Sequence, residues 1–247
     1  MHALSVTIIT KNEALNIERC LQSVRWADEV VVVDSGSTDE TLQICRRFDC
    51  RVMETEWRGF GRTKQLAVGA ASNEWILSVD ADEVVTPQLR DRITELLQGE
   101  PAYSVYRIRR QSHYLGKRIR NCGWDRDYPR RFFNKTQARF NDAEVHESIQ
   151  YDGPKGTLEE PLLHYPYPDV ATHLRKMNLY SDLAAQIAYE KGKSASIPYA
   201  VMAGILKFIK MYIGQCGFLD GRAGLVLSLN SANGVYLKYI KLWQKNH

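Results

Sequence analysis

Ser78-Val79-Asp80-Ala81-Asp82-Glu83 puts two carboxylates one residue apart at the end of the apolar run Trp75-Ile76-Leu77. Side chains alternate along an extended strand, so Asp80 and Asp82 leave it on one side, where hard oxygen ligands meet a divalent cation and, through it, a diphosphate. An acidic pair of this spacing also occurs in solvated turns. Here the run before it reads as a buried parallel strand, and two similar strand-to-polar-loop junctions lie upstream.

Those junctions imply an α/β framework. Val6-Thr7-Ile8-Ile9 stops at Thr10-Lys11-Asn12, and Ile17, Leu21 and Val24 then repeat at helical spacing. Val30-Val31-Val32-Val33 stops at Asp34-Ser35-Gly36-Ser37, and Ser37 with Glu40 predicts a capping box for a helix carrying Leu42, Cys45 and Phe48. Arg51-Val52-Met53 predicts a third short strand, Lys64 to Ala71 a helix, and the strand ending at Asp80 comes next. Strands alternating with helices give right-handed crossovers and a parallel sheet that binds ligands at strand carboxyl ends, where Thr10, Asp34 and Asp80 stand. Thr86 as N-cap and Pro87 at the first helical position open a further helix, to Gln98. Ala102 to Arg109 predicts a strand, and Gly116, Gly123 and Pro129 break the arginine-rich stretch beyond it into loops and short strands, a mixed rather than a βαβ pattern.

Composition narrows the partners. With 247 residues, 44% hydrophobic and 25% charged, the chain can form one large domain or a domain with an appendage. The net charge of +4 is modest, but eleven Lys/Arg between Arg107 and Arg139 face only Asp125 and Asp127, which implies an anionic partner. Five cysteines without a C-x-x-C pair are expected as reduced thiols. The start lacks the pattern of a signal peptide, and no run of about 18 apolar residues is expected to cross a bilayer. From Pro168 the chain turns helical, with Leu174, Met177, Tyr180 and Leu183 on one face. Ile197 to Ile213 and Val235 to Trp243 are apolar but interrupted by Lys207, Lys210, Lys238 and Lys241, with Lys245 beyond. Such helices either lie in a membrane interface or pack on the core, and both readings stand.

Taken in order, Val6-Thr7-Ile8-Ile9-Thr10-Lys11-Asn12-Glu13, Val32-Val33-Asp34-Ser35-Gly36-Ser37-Thr38-Asp39 and Ser78-Val79-Asp80-Ala81-Asp82-Glu83 resemble family 2 glycosyltransferases of the GT-A fold. Val145-His146-Glu147, Leu163-His164-Tyr165 and Gly217-Phe218-Leu219-Asp220-Gly221 resemble the bacterial branch that includes lipopolysaccharide core β-1,4-glucosyltransferases. The resemblance implies a GT-A (Rossmann-like) mixed sheet flanked by helices over residues 1–167, with a nucleotide-sugar-binding half at 1–100 and an acceptor-binding half at 101–167. A helical, amphipathic C-terminal extension occupies 168–247. It further implies inverting transfer, dependent on a divalent metal (Mg or Mn), from a nucleotide-diphosphate sugar, UDP-glucose foremost, to the inner core of lipopolysaccharide. The protein would then be cytoplasmic and peripheral on the inner membrane surface.

On that resemblance Thr10, Glu13 and Asp34 contact the nucleoside, an acidic side chain accepting from a uracil N–H or a ribose hydroxyl. Many relatives carry two consecutive acids at the second strand end, where this chain has Ser35 after Asp34. Lys64 and Gln65 stand where relatives place a basic residue and an amide against the donor; the alternative for Lys64 is an exposed helical lysine. Asp82 is a metal ligand, Asp80 meets the ribose or the metal through water, and Glu83 closes the mouth of the site. His164 completes the metal shell or touches the diphosphate, or is a core histidine bonded to backbone. Glu147 takes the acceptor proton, with Asp125 as rival base, and Trp124, Arg130, Arg131 and His146 belong to the acceptor side.

Other readings fit less well. A nucleotidyltransferase needs a Gly-rich basic loop after the first strand, and Thr10-Lys11-Asn12-Glu13 has no glycine. A nucleic-acid binder would use Tyr114, Trp124, Tyr128, Phe132 and Phe133 for stacking, yet leaves Asp80, Asp82 and Glu147 without a role, so no nucleic-acid partner is expected. Polyprenyl-phosphate or other glycolipid acceptors, also anionic and membrane-borne, are the alternative to the lipopolysaccharide core.

Overall fold

The computed structural model describes residues 2–143 and 147–247. Its contacts divide it into two compact units, residues 1–110 with 127–164, and residues 111–126 with 165–247. In chain order the elements are β1 (Leu4–Thr10), α1 (Ile17–Val24), β2 (Glu29–Asp34), α2 (Thr41–Cys45), β3 (Arg51–Glu54), α3 (Phe60–Ala70), β4 (Trp75–Asp80), β5 (Glu83–Val85) and α4 (Pro87–Gln98). They continue as β6 (Val105–Tyr114), β7 (Lys117–Arg118), β8 (Arg130–Asn134), β9 (Ala138–Phe140), β10 (Ile149–Tyr151), β11 (Gly156–Tyr167), α5 (Val170–Glu190), α6 (Ile197–Ile209) and α7 (Gly221–Lys245).

The main sheet runs β3-β2-β1-β4-β8-β6-β11-β5, with β7 added to β6. Its first four strands are parallel, as the alternation of strand and helix requires, and β8 turns antiparallel on β4 with Leu77 opposite Phe132. β1 is buried along its whole length, and four consecutive valines of β2 are buried, the continuous apolar pattern of a strand covered on both faces. Trp75 stacks on Phe132 at 4.8 Å, which in turn meets Tyr106 at 5.4 Å, so aromatic packing joins the parallel and antiparallel halves. Thr86 caps α4 as expected, its Oγ1 accepting from Leu89 N at 3.2 Å.

Ser37 makes no capping box. Its Oγ donates to Asp34 and accepts from Asn12 N at 2.8 Å, so it is committed to the β2 turn. Asp39 Oδ1 instead accepts from Thr41 N, and α2 lasts only five residues, leaving Phe48 outside it.

In the second unit Tyr114 is fully buried, its hydroxyl 2.8 Å from His173 Nδ1 and accepting from Asn230 Nδ2 at 3.2 Å, while His173 stacks on Tyr167 at 4.0 Å. Burial pushes the His173 imidazole down to about 4, so it is a neutral core group at pH 7. The Gly217–Gly221 segment serves packing. Asp220 accepts from Arg120 N (3.1 Å) and Asn121 N (2.8 Å), which ties residues 111–126 to the C-terminal helices rather than to the sheet unit. A Cβ on Gly224 would lie 2.0 Å from Gly217 O, and one on Gly217 would lie 2.7 Å from Cys122 Sγ.

Most of the expected apolar face of α5 points outward: Leu174, Tyr180 and Leu183 are exposed, Met177 is half-buried beside Gly234, and the buried positions are His173, Ser181, Ala185 and Ala188. Small residues let the helices approach closely, as Gly204 of α6 does against Ala232 and Tyr236 of α7, so the large apolar side chains are left outside. Contrary to the sequence expectation, Ile197–Gly214 is long and apolar enough to cross a membrane by length and composition, with a mean hydropathy of 1.3 over 18 residues. Only 17% of that window is buried, and Ile205, Leu206 and Ile213 are about half exposed. Lys241 is not a free interfacial charge, since its Nζ lies 2.8 Å from Asp182 Oδ1 and bonds Asn178 and Ser181 of α5.

Candidate functional site

Parallel register assembles the first polar groups: Thr10 pairs with Asp34 across β1 and β2, and Ile9 with Asp80 across β1 and β4. Asp34 is fully buried and accepts from Gly36 N (2.9 Å), Ser37 N (2.8 Å) and Ser37 Oγ (2.5 Å). Gly36 holds a φ of +83°, which the tight turn around that carboxylate demands of a glycine. Thr10 Oγ1 and Ser35 Oγ are buried there without a hydrogen-bond partner among the described residues. Buried hydroxyls are normally satisfied, so these two stand ready for a ligand's polar atoms. Ser35, which the sequence marked only as a departure, thereby joins the candidate site residues; its one signal is its place directly after Asp34. Glu13 accepts from Asn16 Nδ2 at 2.6 Å, and its backbone N–H donates to Thr41 Oγ1 at 2.9 Å.

Lys64 is not an exposed helical lysine. It is 2% exposed on α3, with Nζ 2.8 Å from Asp80 Oδ1 and 2.5 Å from Glu147 Oε1. Two contacts fix α3 against the chain that leads to Glu147. Gly61 approaches so closely that a Cβ would sit 2.0 Å from Asn141 O, and Gln65 Oε1 accepts from Phe140 N at 2.8 Å. Gln65 therefore serves this join.

Behind Asp80 lies a chain of buried ion pairs. Arg131, 4% exposed on β8, binds both carboxylate oxygens of Asp80 and lies 2.9 Å from Glu83 Oε1. Arg110 reaches Glu83 at 3.1 Å and Asp127 at 2.5 Å. Two expectations are corrected by this arrangement. Glu83 does not close the mouth of the site: it is fully buried, with Oε2 accepting from Asp80 N at 2.9 Å. Arg131 is not an open acceptor-side cation, because its guanidinium is committed to two carboxylates. Burial raises the Asp80 carboxyl, but the Arg131 guanidinium and Lys64 ammonium beside it outweigh that and hold it well below the usual carboxylate range. Burial, with Glu83, Asp82 and Asp80 nearby, pushes the Cys20 thiol well up, so it stays protonated.

Pairing of β5 with β11 sets His164 opposite Glu83, and places His164 Nε2 3.7 Å from Asp82 Oδ2. Burial lowers the His164 imidazole, which leaves it neutral at pH 7. Among the described residues no three His, Cys, Asp or Glu form a group able to hold a metal. Asp80, Asp82 and His164 thus do not make a complete protein cage, and Asp80 is occupied by its two cations. A divalent cation held by Asp82, with His164 beside it, would take its remaining ligands from a diphosphate, as Mg²⁺ is bound by one or two carboxylates and substrate phosphates.

A cavity of about 520 Å³ opens beside this network, lined by Asp80, Glu147, Arg107, Arg130, Tyr128 and Lys155 among others. Glu147, partly exposed, stands on its wall. Asp125 is exposed and belongs to the second unit, as does Trp124, which packs edge-on against Tyr114 at 6.4 Å. His146 lies outside the described residues.

A family model described as glycosyl transferase family 2 matches residues 5–151. An uncharacterized glycosyltransferase of Rickettsia bellii is 31% identical over 97% of this chain and 85% of its own. The lipopolysaccharide core biosynthesis glycosyltransferase LpsC of Rhizobium meliloti is 28% identical over 98% of this chain and 93% of its own. Among solved structures, S. aureus TarS residues 1–349 in complex with UDP matches at 18% identity and a TM-score of 0.49, covering 87% of this chain and 74% of that one.

Proposed function

Because the chain belongs to glycosyl transferase family 2, we propose that it moves a sugar, glucose first among candidates, from UDP or another nucleoside diphosphate to a membrane-borne anionic glycolipid of the lipopolysaccharide core. The observation that carries this reading is the Asp80–Lys64–Glu147 cluster, which sets a carboxylate base at a cavity wall directly against the carboxyl end of β4. The name of LpsC, similar along nearly its whole length, supports the acceptor class; a polyprenyl-phosphate acceptor is the alternative.

In this reading Thr10, Ser35 and Glu13 meet the nucleoside at the ends of β1 and β2. Asp82 and His164 would hold a divalent cation, which supplies charge neutralisation to the departing diphosphate. Glu147 accepts the proton of the acceptor hydroxyl as that oxygen bonds to the anomeric carbon and the carbon–phosphate oxygen bond breaks, a single displacement that inverts the anomeric centre. Lys64 orients Glu147, and Arg131 orients Asp80, so both carboxylates are placed before substrate arrives. The exposed apolar side chains of α6 and Lys207 and Lys210 on the same helical stretch seat the protein on an anionic membrane surface, where a lipid-borne acceptor is found.

Thermal unfolding against a panel of nucleotide sugars, with and without Mn²⁺ or Mg²⁺, tests the reading. One nucleoside-diphosphate sugar is expected to raise the melting temperature, and more so with metal, because ligand that binds only the native state stabilises it. No shift with any of them would overturn the donor class.

A further inference from the structure

We propose that Arg107, Arg130 and Lys155 form an anion subsite on the wall of the cavity that reaches Glu147, and that this subsite takes a phosphate or carboxylate substituent of the acceptor saccharide. The inference rests on the glycosyl-transfer reading above and adds what selects the acceptor.

The five cations lining the cavity are of two kinds. Arg110 and Arg131 are ion-paired with Glu83, Asp80 and Asp127. Arg107, Arg130 and Lys155 have no carboxylate partner among the described residues, although Asp80 and Glu147 line the same cavity. The two arginines are nonetheless held in place. Arg107 donates from Nε to Thr157 Oγ1 at 2.8 Å and lies over the Tyr128 ring at 5.2 Å, and Arg130 donates to Ile149 O at 3.4 Å and lies over the Tyr151 ring at 5.2 Å. Each guanidinium has five N–H donors, so most remain for a ligand, and a planar fork fixed on an aromatic face is the form that suits bidentate capture of a carboxylate or phosphate. Lys155, exposed before β11, adds an adaptable point charge.

The diphosphate of the donor is the other anion this chemistry could take. Placement argues against it: Thr10, Asp34, Asp82 and His164 are absent from the cavity lining, which shares only Asp80 with the nucleotide side of the site. The cavity's other catalytic group is Glu147, the base that must face the acceptor.

The test compares wild type with Arg107→Gln/Lys155→Gln and with the triple variant that adds Arg130→Gln. Each acts on a phosphorylated core oligosaccharide and on the same oligosaccharide after phosphatase treatment, with UDP affinity read separately by calorimetry. The preference for the anionic acceptor, as a ratio of kcat/KM values, is expected to fall about 10- to 100-fold in the triple variant, the range of one or two lost charge-assisted hydrogen bonds. An unchanged ratio overturns the subsite, and weakened UDP binding with an unchanged ratio assigns the cations to the donor instead. A readout free of turnover keeps the subsite separable from the transfer reading. Inorganic phosphate should raise the melting temperature of wild type and not of the double variant, whose two residues are exposed. Equal shifts overturn the subsite even if transfer proceeds, whereas a phosphate shift lost in the variant alongside a wild type inert on every acceptor overturns the transfer reading alone.

Discussion

Arg131→Met removes the guanidinium that binds Asp80 and Glu83 while keeping much of the buried volume. Breaking one side of a buried ion pair typically costs about 3–5 kcal/mol, because a charge is left without compensation. Here Asp80 keeps Lys64 and Glu83 keeps Arg110, so the lower end applies, about 3 kcal/mol. For a chain of this size that corresponds to a fall in Tm of roughly 6–12 °C. The effect also has a pH sign. The Asp80 carboxyl is held below its ordinary range in the folded protein, so its stabilisation is fully present above the unfolded value, about pH 4, and is lost as pH falls through the folded value. Without Arg131 the folded and unfolded values draw together, so the difference between wild type and variant should shrink as pH falls from 7 toward 3. Urea unfolding followed by circular dichroism at several pH values measures both. A loss under about 1 kcal/mol at pH 7, or a difference that grows in acid, would refute the reasoning.

Asp82→Asn should lower transfer by roughly 10²–10³ and abolish the metal-dependent part of donor binding, since a charged ligand to the diphosphate's counter-ion is gone; full turnover in excess chelator with normal donor affinity would contradict it. Gly224→Ala should destabilise the second unit by about 1–3 kcal/mol in thermal unfolding, because the new Cβ meets Gly217 O at 2.0 Å. Charge reversal at Lys207, Lys210 and Lys245 should release the protein from anionic liposomes in flotation, about 1 kcal/mol per charge, whereas Lys241→Ala should lower stability without a lipid effect. Equal flotation of wild type and variant with neutral and anionic lipid would contradict the membrane reading.

Much of this site could be read from local pattern. The valines of β2 and the apolar run of β4 ended where their carboxylates begin, and strand ends of a parallel sheet converge by topology, so Thr10, Asp34 and Asp80 could be placed together from sequence. The ion-pair chain could not. Arg110 and Arg131 reach Glu83, and Arg131 reaches Asp80, across an antiparallel register set by contacts 27–51 residues apart, and a one-residue slip would turn each side chain to the other face. The same reason hid the burial of Glu83 and the committed state of Arg131. Ser37 misled because its hydroxyl found a nearer partner in Asp34 than the helix terminus. On α5, helical spacing located a real face but not its direction, since Ala185 and Ala188 pack inward while Leu174 and Leu183 do not.

Single-turnover transfer by Glu147→Gln, with nucleotide sugar and acceptor saturating and UDP affinity measured in parallel, tests most directly whether the Lys64-bound carboxylate is the base. The expected result is a rate lower by roughly 10²–10⁴ with UDP affinity close to wild type. A wild-type rate in Glu147→Gln, with Asp125→Asn inactive, would contradict the assignment and move the base to Asp125.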